Sequence, residues 1–437
     1  MLFEEILSAY KKLTFQNNQT AHFALILNSL ITCYPPQFIL AHLIEFIDFI
    51  KLINKEFVSE QGKTTPLAYP KYLLIKNISN SLNSFDHLFE LDEDHRNKVF
   101  EDLWVMIRNL NSKSEYILCM KNFSEILAKS YSVGDINNLL GNIVSNFSEN
   151  REFENYSSNL YAIFSKVIQF GSSRFHFSNF FSMPNLIAYL DLFHKETVKI
   201  DACKQIVETF ITQFSTCGSS EHSEETEFQS ETTSDPVILN LITYLCKMMH
   251  DYITALTLDD EKRQISTLIV GFIRRIYFNR DFEAQLNFYV DSRSNFSNLD
   301  HVLCFLVHRV NTLAMETHQI VNGHHTRKTI SFVNACIAFS YITIPSIDDI
   351  PIRLQLYLSC SHITLINACL PQTDAFLKSV ITLLRQLPSH YEGTDGKLYS
   401  NDDFLFNFIS QVLSFLIVVP VSVFNNCLAK YNQSIIV

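Results

Sequence analysis

Apolar residues recur at the helical period in segment after segment, and almost nothing interrupts them. Leu303, Leu306, Val307, Val310, Leu313 and Ala314 fall on one helical face, leaving His301, His308, Arg309, Thr312 and Glu316 on others. Ile265, Leu268, Ile269, Phe272, Ile273 and Ile276 repeat the pattern, as do Val99, Leu103, Met106, Ile107 and Leu110. A helix with one apolar face must bury it against another element. The residues that turn a chain sharply are scarce: 9 glycines and 11 prolines in 437 residues, under half their usual share of about 12%. That scarcity excludes a sandwich, a barrel or an α/β domain with glycine-rich loops, and leaves helices joined by short polar connections.

Helix ends are marked as well. Asp235 before Pro236 is an N-cap followed by proline at the first helical position, where its missing N–H costs nothing. Asp259, Asp260 and Glu261 open the next helix with charges that suit its N-terminal dipole, and Asn322-Gly323 is a C-terminal stop. Such signals predict helices at 1–14, 20–33, 37–54, 69–83, 94–111, 114–131, 134–149, 155–170, 184–197, 199–215, 236–256, 260–278, 281–292, 298–320, 326–342, 348–358, 362–385 with a break at Pro371, and 402–419. No strand signal lies between them. The expected fold is all-α, a HEAT-like α-solenoid of antiparallel helix pairs, each burying its face against the next. Helical repeats are expected at 1–214 and 236–420, separated by an acidic Ser/Thr-rich insertion at 215–235 that reads as a disordered surface loop, and followed by a divergent tail at 421–437.

Composition narrows the function classes. A hydrophobic share of 47% with 37 phenylalanines describes a core-rich chain, and a net charge of -11 gives no footprint for nucleic acid. Ten cysteines without a CxxC pair read as small core residues in a reducing compartment. The N-terminal MLFEEILSAYKKL lacks the basic n-region and unbroken apolar stretch of a signal peptide, so Asn122-Phe-Ser and Asn295-Phe-Ser are chance sequons. Residues 404–429 carry no charge, but Asn407, Gln411, two serines and Pro420 shorten the apolar run below the roughly 20 residues that span a bilayer. A helix buried between helices explains the segment.

No phosphate loop, dinucleotide fingerprint, nucleophile elbow or H-E-x-x-H motif is present, and no enzyme activity or cofactor is expected. His318, Gly323, His324 and His325 form the best metal-like cluster, but no cysteine or acid stands at ligand spacing beside them. They read as histidines near a helix C-terminus, where imidazolium suits the dipole. Arg327-Lys328 is the densest positive spot in the C-terminal half, open to two readings: a contact for an acidic partner, or a solvated first turn. Asp402-Asp403 sits at a helix start, where capping accounts for it.

Several blocks together carry a resemblance: HVLCFLVHRVNTLAMET (301–317), GHHTRKTISFVNACIAFSYITIPSI (323–347), RLQLYL (353–358), QTDAFLKSVITLL (372–384) and DGKLYSNDDFLFNFI (395–409), with SDPVILNLITYLCKMMHDYITALTLDDEKRQISTLIVGFI (234–273) and RDFEAQLNFYVDSRSNFSNL (280–299). In this order they resemble the large α-solenoid scaffold subunit of the retriever complex, related to the retromer scaffold subunit of the vacuolar protein sorting family. The resemblance runs to Pro420. It implies a non-catalytic scaffold that helps return transmembrane cargo from endosomes to the plasma membrane, in the cytoplasm and peripherally on endosomes. The implied partners are a small metallophosphoesterase-fold subunit cradled by the solenoid, an arrestin-fold subunit whose site lies in a part of the family absent here, the coiled-coil and copper-metabolism-domain proteins of the Commander complex, and indirectly a sorting nexin. The chain reads as an internal portion of such a solenoid, so the helix at 402–419 is expected to expose a Phe- and Leu-rich face. Glu316, His324, His325, Arg327 and Lys328, around the turn after the helix at 298–320, are the candidate partner-facing residues. The residues themselves leave open another HEAT-type scaffold, such as a nuclear-transport receptor or coat adaptor.

Overall fold

The computed structural model describes residues 5, 20–55, 71–83, 93–110, 112–148, 153–214, 235–392 and 398–418. The expected helix at 1–14, the acidic insertion and the divergent tail lie almost wholly outside them. The chain divides into two compact units, Met1–Thr209 and Phe210–Val437.

In the first unit the helices are α1 (Thr20–Cys33), α2 (Pro36–Ala41), α3 (Leu43–Lys55), α4 (Lys71–Asn83), α5 (Glu93–Arg108), α6 (Lys113–Ser130), α7 (Val133–Ser148), α8 (Phe153–Arg174), α9 (Phe177–Phe181), α10 (Pro184–Leu190) and α11 (Glu196–Gln213), whose last turn crosses the unit boundary. One row of helices packs in the order α1, α4, α6, α8, while α3 packs on α5 and α7 on α10. Contacts that skip an intervening helix are the signature of stacked helix pairs. Phenylalanine fills the seams: Phe123, Phe147, Phe164 and Phe180 are fully buried. The expected helix at 37–54 is two helices with a break at His42, and α9 is an additional short helix that carries Phe177, Phe180 and Phe181 into the core.

The second unit holds α12 (Pro236–Tyr252), α13 (Asp259–Arg275), α14 (Phe282–Asn295), α15 (Asp300–Ile320), α16 (Arg327–Thr343) running into a short 3-10 turn, α17 (Ile350–Ile366), α18 (Leu370–Leu384) and α19 (Asp402–Val418). A second row packs in the order α13, α15, α17, α19, with α12, α14, α16 and α18 as outer partners. The architecture is thus the all-α, HEAT-like arrangement expected. Asp235 caps α12 by accepting from Val237 N–H at 2.9 Å, as its place before Pro236 predicts. Two expectations are corrected. Helix α17 runs through 359–361 without a break, because the Ser361 hydroxyl donates to the Tyr357 carbonyl at 2.9 Å and leaves nothing to satisfy outside the helix. The reversal comes at Ala368, with φ 58, and Pro371 lies in the first turn of α18, so it starts a helix instead of breaking one. A small antiparallel hairpin, β1 (His390–Glu392) with β2 (Leu398–Ser400), also stands where no strand was expected.

Phe408 and Phe415 of α19 join the core, and its other face leaves Phe406, Leu413 and Ile417 exposed at 74%, 57% and 85%. Among the described residues one helical stretch, Arg327–Ser346, is long and apolar enough to cross a membrane. It contributes Val333, Cys336, Phe339 and Ile344 to the buried core, the ordinary reason for such a stretch in a stacked helical protein.

Candidate partner-binding site

Three helix ends meet on one side of the second unit. In a row of alternating antiparallel helices, α13 and α15 finish at the same end, so the chain leaving α13 lies beside the chain leaving α15. Helix α15 is closed by a Schellman arrangement. Gly323 N–H donates to the His318 carbonyl and Asn322 N–H to the Gln319 carbonyl, each at 3.1 Å, with Asn322 and Gly323 in the left-handed region at φ 49 and φ 78. Helix α16 then opens with a reciprocal cap, Thr326 N–H donating to Thr329 Oγ1 at 2.9 Å and Thr329 N–H to Thr326 Oγ1 at 3.3 Å. The turn between the helices is therefore fixed by hydrogen bonds at both ends.

The loop after α13 is fixed too. Gln285, 2% exposed, accepts from Phe278 N–H at 3.0 Å and donates to the Ile276 carbonyl at 3.2 Å. Asp281 caps α14 by accepting from Ala284 N–H at 2.9 Å. Phe282 of α14 meets Phe332 of α16 with ring centroids 6.2 Å apart. Between these elements runs an open groove of about 1060 Å³ whose apolar lining includes Tyr277, Phe282, Ile320 and Phe332. Arg280 and Lys328 provide cations at its walls, and Asp281, Glu283 and Glu316 provide anions.

The structure brings two of the five candidates, Glu316 and Lys328, into this groove. His324 and Arg327 are exposed on the adjoining turn, outside the lining. His325 is half-buried: both of its ring nitrogens are out of reach of solvent, and its ring lies 5.6 Å from that of His318. No cluster of three or more His, Cys, Asp or Glu able to hold a metal ion occurs among the described residues. Arg327 and Lys328 occupy the first two positions of α16, where the helix dipole disfavours cations by about 0.3–1 kcal/mol. Dipole and side chains together make a positive field at this helix end. Glu316 balances it from α15. Burial raises the Tyr289 phenol, and Arg309 works against that shift.

Sequence reasoning missed the opposite wall, Tyr277, Arg280, Phe282 and Phe332. The signal that could have found it is topological, since two like-directed helices two apart in sequence must end side by side.

Comparison with known proteins identifies the lineage. The model of the VPS35L C-terminal domain matches residues 2–428. The chain belongs to this family. It is 38% identical over 421 residues to a VPS35 endosomal protein-sorting factor-like protein of Danio rerio, covering 96% of this chain and 39% of that protein. It is 38% identical over 420 residues to the Homo sapiens protein of the same name, again over 96% of this chain and 39% of the relative. The Dictyostelium discoideum VPS35 endosomal protein sorting factor-like protein is 32% identical over 400 residues, 91% of this chain and 36% of its own length. The chain thus spans about two fifths of the length of these relatives, and within it the groove belongs to the VPS35L C-terminal domain region.

Proposed function

We propose that this chain is a non-catalytic scaffold segment of a retriever-like endosomal sorting complex, which returns transmembrane cargo from endosomes to the plasma membrane. The observation that carries the reading is family membership along almost the whole chain, with relatives named as endosomal protein-sorting factors. The physical form suits the role. Stacked helix pairs present fixed helix ends and inter-helix grooves, and they hold partners by surface complementarity without turnover. In this reading the scaffold works in the cytoplasm, peripherally on endosomes. Its second unit cradles a small metallophosphoesterase-fold subunit, and the coiled-coil and copper-metabolism-domain proteins of a Commander-type assembly join around it. In the same reading an arrestin-fold subunit and, indirectly, a sorting nexin belong to the assembly.

The groove at the ends of α13, α15 and α16 serves as one partner contact, with Arg327 and Lys328 facing acidic groups and Tyr277, Phe282 and Phe332 an apolar side chain. The test is a pulldown of the small subunit from the same organism with the chain and with its Arg327→Glu/Lys328→Glu variant. The reading expects the variant to keep its helical circular dichroism and to lose at least about tenfold in retained partner, the effect of roughly 1.4 kcal/mol. Unchanged retention removes these residues from the interface.

A further inference from the structure

Helix α19 is apolar on two opposite faces. Phe408 and Phe415 lie in the core, and on the far side Phe406, Ile409, Leu413 and Ile417 are all exposed. Their spacing of three, four and four residues sets them in one stripe, and no charged side chain in 404–418 solvates it. An open groove of about 490 Å³ runs beside the stripe between α17 and α19, with Leu365, Ile366, Ser410 and Ser414 in its lining. A helix apolar all round is an interior helix, so this face calls for a cover.

The packing of the unit and the sequence beyond it point to the same occupant. Row helix α15 packs on α16, the helix that follows it, and α17 packs on α18. Helix α19 takes the next place in that row, and the sequence that follows it, 419–437, lies beyond the described residues. In that sequence Val421, Phe424, Leu428, Tyr431 and Ile435 recur at alternating intervals of three and four, the spacing of a seam between two helices. At the same period Asn426, Lys430 and Gln433 fall on the opposite face. Pro420 stands just ahead of the stripe, as Pro236, Pro351 and Pro371 stand in the first turns of α12, α17 and α18.

We propose that residues 420–436 are the antiparallel helical partner of α19 and lay their apolar stripe along its exposed one. The short connection dictates the register. With the chain reversing at Val419-Pro420, Ile417 meets Val421, Leu413 meets Phe424, Ile409 meets Leu428 and Phe406 meets Tyr431. Every residue of the exposed stripe then has an apolar partner. The lengths agree as well: α19 has 17 residues, and 420–436 has the same number, about 25 Å of helix. A second copy of the chain could reach the stripe only by a bimolecular encounter, whereas the tail is tethered beside it at an effective concentration on the order of millimolar. The assignment is independent of the groove at the ends of α13, α15 and α16 and of the sorting role.

The experiment is cross-linking of the purified full chain, in a Cys427→Ser background, with dibromobimane, a short reagent that joins two neighbouring thiols. Ile409→Cys/Leu428→Cys is expected to give a link within one chain, mapped by peptide mass spectrometry, and Ile409→Cys/Lys430→Cys, with its second thiol on the polar face, to give none. Hydrogen exchange supplies a readout that needs no cysteine. Phe424→Asp/Leu428→Asp is expected to lower the protection of 402–418 by at least about tenfold, and Asn426→Asp to leave it unchanged. Links between two chains, with the protein eluting as a dimer, would assign the stripe to a second copy and overturn the proposal. No link together with an unprotected α19 would leave the stripe to another protein, with the same consequence. Equal linking of the two cysteine pairs, or protection undiminished by Phe424→Asp/Leu428→Asp, would overturn it as well.

Discussion

Replacing a helical glycine by alanine usually stabilises a protein, by about 1 kcal/mol in a helix interior, yet at Gly171 the structure requires the opposite. A Cβ added there would overlap Cε2 and Cζ of Phe180. That ring cannot swing away, because it is fully buried, stacked on Phe175 with centroids 6.1 Å apart and edge-on to Phe181 at 5.1 Å. Overfilling a packed site costs about 1–3 kcal/mol, which outweighs the gain in propensity, and the expected net loss is about 1 kcal/mol. For a unit of this size that is a fall of roughly 2–4 °C in Tm. Gly134 supplies the contrast, since an added Cβ would meet nothing nearer than the Ser132 Oγ at 3.6 Å. Gly134→Ala should therefore raise stability by about 0.5 kcal/mol. The single tryptophan, Trp104, lies in the same unit and packs near Phe100 and Phe123, both at 5.8 Å. Denaturant titration followed by its fluorescence reports on that unit. Phe180→Leu in the Gly171→Ala background should recover part of the loss, a coupling that independent sites would not show. A raised midpoint for Gly171→Ala would refute the close approach of α8 and α9.

Other consequences are as direct. Ala368 occupies the left-handed position of a Schellman arrangement, where Cys369 N–H donates to the Thr364 carbonyl at 2.8 Å, so Ala368→Gly should stabilise the second unit by about 1 kcal/mol, and a lower Tm would contradict the strain. Burial raises the Glu125 carboxyl, but hydrogen bonds from Lys166 and Lys129 outweigh it and hold the group below the ordinary carboxylate value of 4.5. Its stabilising effect is complete above that value and lost as pH falls through the lower folded-state value; the stability gap between the protein and Glu125→Gln should close over that acidic range, and a gap constant with pH would exclude the ion-pair account. Burial pushes the thiols of Cys119, Cys203 and Cys336 up to about 12, whereas Cys33 is exposed. Brief iodoacetamide treatment of the native chain, read by mass spectrometry, should label Cys33 and spare those three.

Much of the fold is legible because helices announce themselves through period and caps, and both are local. The stripe from Leu303 to Ala314, the Asp235-Pro236 start and the Asn322-Gly323 stop all lie where the sequence puts them. What was not legible depends on tertiary context. Alanine carries no mark of left-handed backbone, so the reversal at Ala368 was assigned to Pro371, three residues on. The Ser359-Cys360-Ser361 stretch looks like a break until the Ser361 hydroxyl is satisfied inside α17. The hairpin strands are three residues each, too short to show an alternating pattern. At the site, Glu316 and Lys328 were found because charge near a helix end stands out, while Tyr277, Phe282 and Phe332 read as ordinary apolar helix residues until α14 and α16 brought them face to face.

The central claim is that this chain is a holding surface for other subunits of an endosomal sorting complex. The most direct test is co-expression of the chain with the small metallophosphoesterase-fold subunit and the arrestin-fold subunit of the same organism, followed by size-exclusion chromatography. The account predicts a stoichiometric complex that contains the chain and the small subunit. Elution of all three as separate species, with the chain folded and monomeric, would contradict it.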